Sequence, residues 1–146
     1  MYRGSGATLA VLLVHPGGPF WARKDLGAWS IPKGEHAADE DPLAVARREF
    51  AEETGASPGG ACQPLGEAVQ AGGKRVNAWA VEGDFDPATL VSNTFEMEWP
   101  PRSGRRQSFP EVDRAAWFSP DEARQKINAG QRVFIDRLVE LVGRSE

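Results

Sequence analysis

An aspartate and a proline at positions 41 and 42 and a glycine at position 55 mark both ends of one helix, and no other feature constrains the fold as tightly. Asp41 is a good N-cap, Pro42 suits the first helical position because its φ is preset and its missing N–H is not needed there, and Gly55 reads as the C′ stop. At about 100° per residue, Leu43, Ala46, Phe50 and Thr54 form one stripe, so the helix packs with that side. Glu49, Glu52 and Glu53 cluster on another face. Carboxylates three and four residues apart repel by a few tenths of a kcal/mol per pair, and the last turn sits at the negative end of the macrodipole. A solvated helix face carries Lys or Arg four residues from each Glu. Here only Arg48 and Glu52 are so paired, and Glu49 faces Glu53 uncompensated. Missing positive charge at a site of oxygen ligands is what a hard divalent cation such as Mg²⁺ supplies, so the spacing points to a metal rather than to a solvated face.

With 146 residues, 40% hydrophobic and 26% charged, the chain is expected to form a single domain over residues 1–146 with a substantial core. No apolar run approaches the ~20 residues of a membrane span, and the N-terminus lacks a basic region before a hydrophobic core. A cytoplasmic protein without membrane contact is therefore expected. The net charge of −4 argues against bulk attraction to nucleic acid. The single cysteine, Cys62, has no internal disulfide partner, and His15 and His36 show no metal-ligand spacing with it. All three read as core or loop residues.

Residues 6–15, GATLAVLLVH, are an apolar run rich in β-formers and read as a buried strand, ended by Pro16-Gly17-Gly18-Pro19. A loop or short second strand follows. Residues 62–70 and 74–83 flank Ala71-Gly72-Gly73 as a hairpin. In residues 92–99, Phe95, Met97 and Trp99 alternate with Glu96 and Glu98, the pattern of a strand. Residues 100–111 are expected to form a loop and 112–118 another strand. Ser119 or Pro120 starts a short helix, and residues 131–142 read as an amphipathic helix with Val133, Phe134, Leu138, Leu141 and Val142 apolar. Strands mixed with three helices suggest an α/β/α sandwich around a mixed β-sheet.

From Gly34 the residues run Gly34, five residues, Glu40, seven residues, Arg48-Glu49-Phe50, one residue, Glu52-Glu53, one residue, Gly55-Ala56. This resembles the Nudix box. Seven fixed positions match, and at roughly 6% usage per residue type the chance of that at one start is on the order of 10⁻⁹. The two softer positions, usually aliphatic, hold Phe50 and Ala56, departures that bear on packing more than on chemistry. The order of strands and helices across nearly all the chain is also similar to the Nudix fold.

The resemblance implies hydrolysis of a nucleoside diphosphate linked to another moiety, with water attacking phosphorus assisted by Mg²⁺ or Mn²⁺. Position by position it implies Glu49, Glu52 and Glu53 as metal ligands, with Glu52 and Glu53 among the catalytic groups. It implies Glu40 as the structural support of Arg48 or a water-mediated contact to metal, Gly34 as the residue permitting the tight loop into the helix, and Gly55 as the helix stop. Lys33, just before Gly34, reads equally as a phosphate contact and as an exposed loop lysine. For the base outside the box Glu111 is the first choice, because similar members that cleave dinucleoside polyphosphates and 5′-capped RNA carry a glutamate just before a comparable Trp-containing strand. Glu96 and Glu98 are rivals that strand alternation turns toward solvent. Arg102, Arg105 and Arg106 suit bidentate phosphate contacts, with a solvated loop as the plainer reading. Trp29 and Trp79 are candidates for stacking on a base, with burial as the default.

The stretch GAWSIPKGE, residues 27–35, resembles the segment entering the box in diadenosine polyphosphate hydrolases and in some nucleotide-pool cleaning enzymes. The tyrosine usual in the former some way past the box is missing, since the only tyrosine is Tyr2, and the downstream proline of the ADP-ribose subgroup is missing around Ala71. The expected substrate is a dinucleoside polyphosphate such as diadenosine tetraphosphate. The alternatives are a pool-sanitising triphosphatase that releases pyrophosphate from oxidised triphosphates, and a non-catalytic nucleotide-sensing module, whose usual mark, a degenerate box, is absent. The expected partner is a small nucleotide, with nucleic acid entering only as a capped RNA end. Monomer and homodimer both stay open.

Overall fold

A computed structural model describes residues 1–33, 39–70 and 72–144. Gly34 and His36 of the sequence reading, and Ala71 of the expected glycine turn, lie outside the described residues. In chain order the elements are β1 (Tyr2–Arg3), β2 (Ala10–Pro16), α1 (Pro42–Thr54), β3 (Cys62–Val69), β4 (Arg75–Val81), β5 (Thr94–Glu98), β6 (Arg106–Pro110), β7 (Val112–Phe118), α2 (Pro120–Lys126) and α3 (Arg132–Arg144).

Strand β2 explains the layering. Its residues Val11, Leu12, Leu13 and Val14 are all buried, which a strand achieves only when both faces are covered. Val11 and Leu13 pack in one cluster with Ile135, Leu138 and Val142 of α3. Leu12 and Val14 point the other way, into a cluster with Phe50 of α1 and with Val112 and Ala115 of β7. Helices therefore cover both sides of the β-structure, giving the α/β/α sandwich.

Strand β2 lies between β1 and β7, antiparallel to both. β3 and β4 form an antiparallel pair, and so do β5 and β6. Tyr2 of β1 bridges in parallel to Glu82, just past β4, and the Gly83 N–H donates to the Tyr2 carbonyl at 3.0 Å. That bridge brings the β1-β2-β7 sheet to β4 and makes the pairing mixed.

Two strands escape the sequence reading. β1 is only two residues long and carries no alternation to read. β6 occupies part of the expected 100–111 loop, because of its five residues only Phe109 is turned away from solvent. A strand wet on both faces has no period-two signal.

Helix α1 runs between the two stops marked in the sequence. The Asp41 side chain accepts from the Leu43 N–H at 3.2 Å, and Gly55 adopts φ 82° with its N–H on the Ala51 carbonyl. Its buried residues are Val45, Phe50 and Thr54, while Leu43 and Ala46 of the expected stripe are half-buried. Thr54 is fully buried and satisfied: its hydroxyl donates to the Phe50 carbonyl at 2.7 Å and accepts from the Ala56 N–H at 3.2 Å.

A Cβ on Gly55 would stand 3.0 Å from the Val91 carbonyl oxygen, at a backbone angle L-residues rarely adopt. Gly55→Ala is therefore expected to destabilise the protein by about 1–2 kcal/mol or more. Urea denaturation would show a lower midpoint at unchanged slope, and an unchanged midpoint would disprove the packing described. No described helix is long and apolar enough to cross a membrane.

Candidate active site

The last two turns of α1 place Glu49, Glu52 and Glu53 beside one another, and the fold adds a fourth acid from far along the chain. The final carbonyls of a helix lack partners within it. Here the Glu52 carbonyl accepts from the Asn93 N–H at 2.8 Å and the Thr54 carbonyl from the Val91 N–H at 3.1 Å. The same strap is fastened on its other side. The Asn93 carbonyl accepts from the Glu111 N–H at 2.8 Å, and the Ser92 hydroxyl accepts from the Val112 N–H at 3.0 Å. Residues 91–93 thus lock the start of β7 to the C-terminal end of α1. Nothing in the sequence singles out Ser92 and Asn93, since a strap made mostly of backbone hydrogen bonds, with one serine hydroxyl, leaves little side-chain signature.

The consequence is electrostatic. Burial, first of all, raises the Glu53 carboxyl to about 8; the Lys33 N–H, which donates to it at 2.7 Å, pulls the other way, while the charges of Glu49 and Glu111 push it further up. Glu49 is likewise raised, by burial first and then by Glu52, with Glu111 adding to the effect and Arg48 opposing it. Glu111 thus acts on the same two acids, whereas its rivals sit elsewhere. Glu96 lies 3.8 Å from Arg106 on the exposed hairpin, and Glu98 stands opposite Arg106 in the β5–β6 register.

Arg48 holds the outer side of the cluster. Its guanidinium is 3.4 Å from Glu40, 3.8 Å from Glu49 and 4.0 Å from Glu52. With Arg48 half-exposed, each pair contributes little alone, but one cation among three carboxylates offsets part of their repulsion. Among the described residues no three His, Cys, Asp or Glu side chains stand ready gathered to hold a metal ion. The chemistry of the donors nevertheless fits one: crowded carboxylates with too little positive charge, Glu53 and Glu49 partly withdrawn from water, are the ligand type of a hard divalent cation.

Lys33 joins this cluster to a cleft of about 360 Å³ whose walls include Pro32, Lys33, Val45, Ala46, Arg75 and Trp79. That volume is in the range of small-ligand sites. Trp79 is half-buried on this wall, while Trp29 is 4% exposed and spends its indole N–H on Asp25 at 2.8 Å. Trp29 is thereby a core residue and not a stacking surface. His15 is equally structural: fully buried, its Nδ1 lies 2.7 Å from Asp113 and its Nε2 2.6 Å from the Lys24 carbonyl. Cys62 is free and half-buried. Arg106 opens β6 and Arg105 immediately precedes it, and neither pairs with an acid of the cluster among the described residues; Arg106 pairs with Glu96 instead.

Comparison with known proteins bears on the family and the fold. A family model described as NUDIX domain matches residues 1–138. A comparison with curated proteins returns no match. Among solved structures, an Ap4A hydrolase of C. elegans in a binary complex superposes with a TM-score of 0.63 at 16% identity, covering 98% of this chain and 94% of that one. The NUDIX domain of Shewanella oneidensis NrtR, complexed with ADP ribose, gives 0.61 at 19% identity over 96% and 82%. A mutT/nudix family protein from Listeria innocua gives 0.61 at 15% identity over 99% and 90%. At these identities the likeness is one of fold.

Proposed function

The chain belongs to the NUDIX family, whose members are hydrolases acting on pyrophosphate bonds, and from that premise we propose that it cleaves a phosphoanhydride bond of a dinucleoside polyphosphate such as diadenosine tetraphosphate. The observation that carries this reading is the meeting of Glu111 with Glu49 and Glu53 at the end of α1, next to a ligand-sized cleft. A long polyphosphate calls for several cations, and Lys33 at the cleft with Arg105 and Arg106 of the β5–β6 hairpin are the candidates for that role.

Nudix hydrolases generally use divalent cations. In this reading Glu49, Glu52 and Glu53 hold Mg²⁺ or Mn²⁺, which when bound neutralises phosphate charge and favours ionised water. The chain's own groups do the rest. Glu53 gives up its proton to serve as a ligand, and the Lys33 N–H steadies the resulting carboxylate. Glu111 accepts a proton from the attacking water as the new P–O bond forms and the bridging P–O bond breaks. Lys33, Arg105 and Arg106 take up charge along the phosphate chain, which lowers the cost of the departing anion. Arg48, paired with Glu40, keeps the acids of α1 in place without entering the reaction. Glu49, Glu52 and Glu53 stand on α1, and the backbone of Glu111 is tied by hydrogen bonds to Asn93 and Gly17, so these four acids are positioned before substrate arrives.

Incubation with Mg²⁺ and diadenosine tetraphosphate, ordinary and oxidised triphosphates, ADP-ribose and capped RNA, followed by product chromatography, tests the proposal. Asymmetric cleavage of diadenosine tetraphosphate to ATP and AMP is the expected result. A preference for an oxidised triphosphate, giving monophosphate and pyrophosphate, would replace the substrate class. Tight nucleotide binding without turnover in any metal would replace the enzyme with a sensor.

A further inference from the structure

The residues between β2 and Trp29 fold over the apolar face of the β5–β6 hairpin, a two-stranded sheet of its own. Gly18 makes this possible, since a Cβ there would come within 3.0 Å of the Phe95 ring. Two residues on, the Phe20 ring meets Trp99 edge-to-face, with centroids 5.4 Å apart and planes at 81°. Trp99 is fixed by its backbone: its N–H donates to the Arg105 carbonyl at 3.0 Å and its carbonyl accepts from Gln107 Nε2 at 2.8 Å. Yet Phe20 is 59% exposed and the neighbouring Trp21 40% exposed. Soluble proteins seldom leave adjacent large aromatics in water without a use.

The surroundings of these rings are cationic. Lys24 lies 4.9 Å over the Trp21 ring, and Arg102 and Arg105 make no ion pair among the described residues. Exposed rings held rigid beside unneutralised cations suit an aromatic ring carried on phosphate. The location is also defined. The Gly17 N–H donates to the Glu111 carbonyl at 2.9 Å, so the aromatic segment starts at the residue that faces the acids. The cleft at Lys33 and Trp79, by contrast, flanks the N-terminal half of α1, through Pro42, Val45 and Ala46.

We propose that Phe20 and Trp99 form a second base-stacking subsite on the Glu111 side of the acids, which holds the distal nucleobase of a dinucleoside polyphosphate. The inference rests on the hydrolase reading above and extends it: the cleft takes one nucleoside, the aromatic platform takes the other, and the phosphate chain between them crosses the acids.

Diadenosine tetraphosphate and adenosine 5′-tetraphosphate have equal phosphate chains and differ by the second nucleoside. Their apparent affinities are compared in the intact protein with Mg²⁺, as KM for whichever turns over and as calorimetric Kd for whichever does not. Stacking of one base predicts roughly tenfold tighter binding of the two-ended ligand. Phe20→Ala and Trp99→Ala should each collapse that ratio toward one, and Trp99→Phe, which keeps a ring, should restore most of it. Equal affinities in the unmodified protein, or a ratio unaltered by both alanine variants, would overturn the subsite. So would an unaltered ratio accompanied by loss of a dimer, which would assign the rings to an interface between copies. Absence of turnover with both ligands would sink the hydrolase reading alone, because the Kd ratio still reports on the platform.

Discussion

Glu53→Gln is expected to lower turnover by at least about a hundredfold while the fold stays intact. The amide keeps the size of the side chain and an oxygen that accepts the Lys33 N–H, found at 2.7 Å in the parent. What it loses is the ability to ionise, and with it a charged ligand at the centre of the acids. Full turnover in this variant would remove Glu53 from the chemistry.

The same substitution carries a stability signature whose sign follows from linkage. The Glu53 carboxyl is raised from 4.5 to about 8 by burial and by the charges of Glu49 and Glu111, against the pull of Lys33. Between those two values the folded state holds a proton that the unfolded chain has released. Stability of the metal-free protein is therefore full below about pH 4.5 and falls as pH rises through about 8, by at most about 1.4 kcal/mol per pH unit. Glu53→Gln should flatten that fall and be the more stable protein at pH 8, measured by urea denaturation in chelator across this range. A parallel fall in both proteins would show that Glu53 is not its source.

Glu111→Gln is expected to reduce kcat by ~10²–10⁴, the usual worth of a positioned base, with KM little changed. The backbone of Glu111 is fixed by hydrogen bonds to Asn93 and Gly17, so the substitution removes a carboxylate without loosening the start of β7. A loss confined to kcat separates the chemical role from a structural one, which would also lower the denaturation midpoint. Should Glu96→Gln or Glu98→Gln lower kcat while Glu111→Gln does not, the base would lie on β5 instead. The strap 91–93 brings Glu111 to the acids of α1 from a second element.

Much of this was open to reading in advance. Helix α1 ends where Asp41 and Gly55 place its caps, because capping is a contact between near neighbours and needs nothing distant. The continuous apolar run in β2 announced burial, and the alternation in residues 95–99 announced a strand, since both patterns are properties of one segment. β6 reads as a loop because four of its five residues meet solvent, so nothing in its composition separates strand from loop. The stripe on α1 reads as Leu43, Ala46, Phe50 and Thr54; Phe50 and Thr54 are buried, while Leu43 and Ala46 are half-buried and Val45 is buried beside them, because what lies opposite the first turns decides how far each side of the helix is covered. Trp29 and Trp79 were equivalent in sequence and became different residues once Asp25 took the indole proton of one and the cleft opened beside the other.

By itself, the sequence determined the helix that carries three acids, the crowding that leaves them short of positive charge, and the Nudix spacing that contains them, because all of these are relations among residues within a few turns. Only the tertiary structure decided that Glu111 joins Glu49 and Glu53, that Lys33 turns its N–H onto Glu53, and that Phe20 stands against Trp99. Those meetings depend on hydrogen bonds across residues 91–93, all but the Ser92 hydroxyl's from the backbone, and on loop closure over the hairpin, and peptide groups form such bonds whatever side chains they carry.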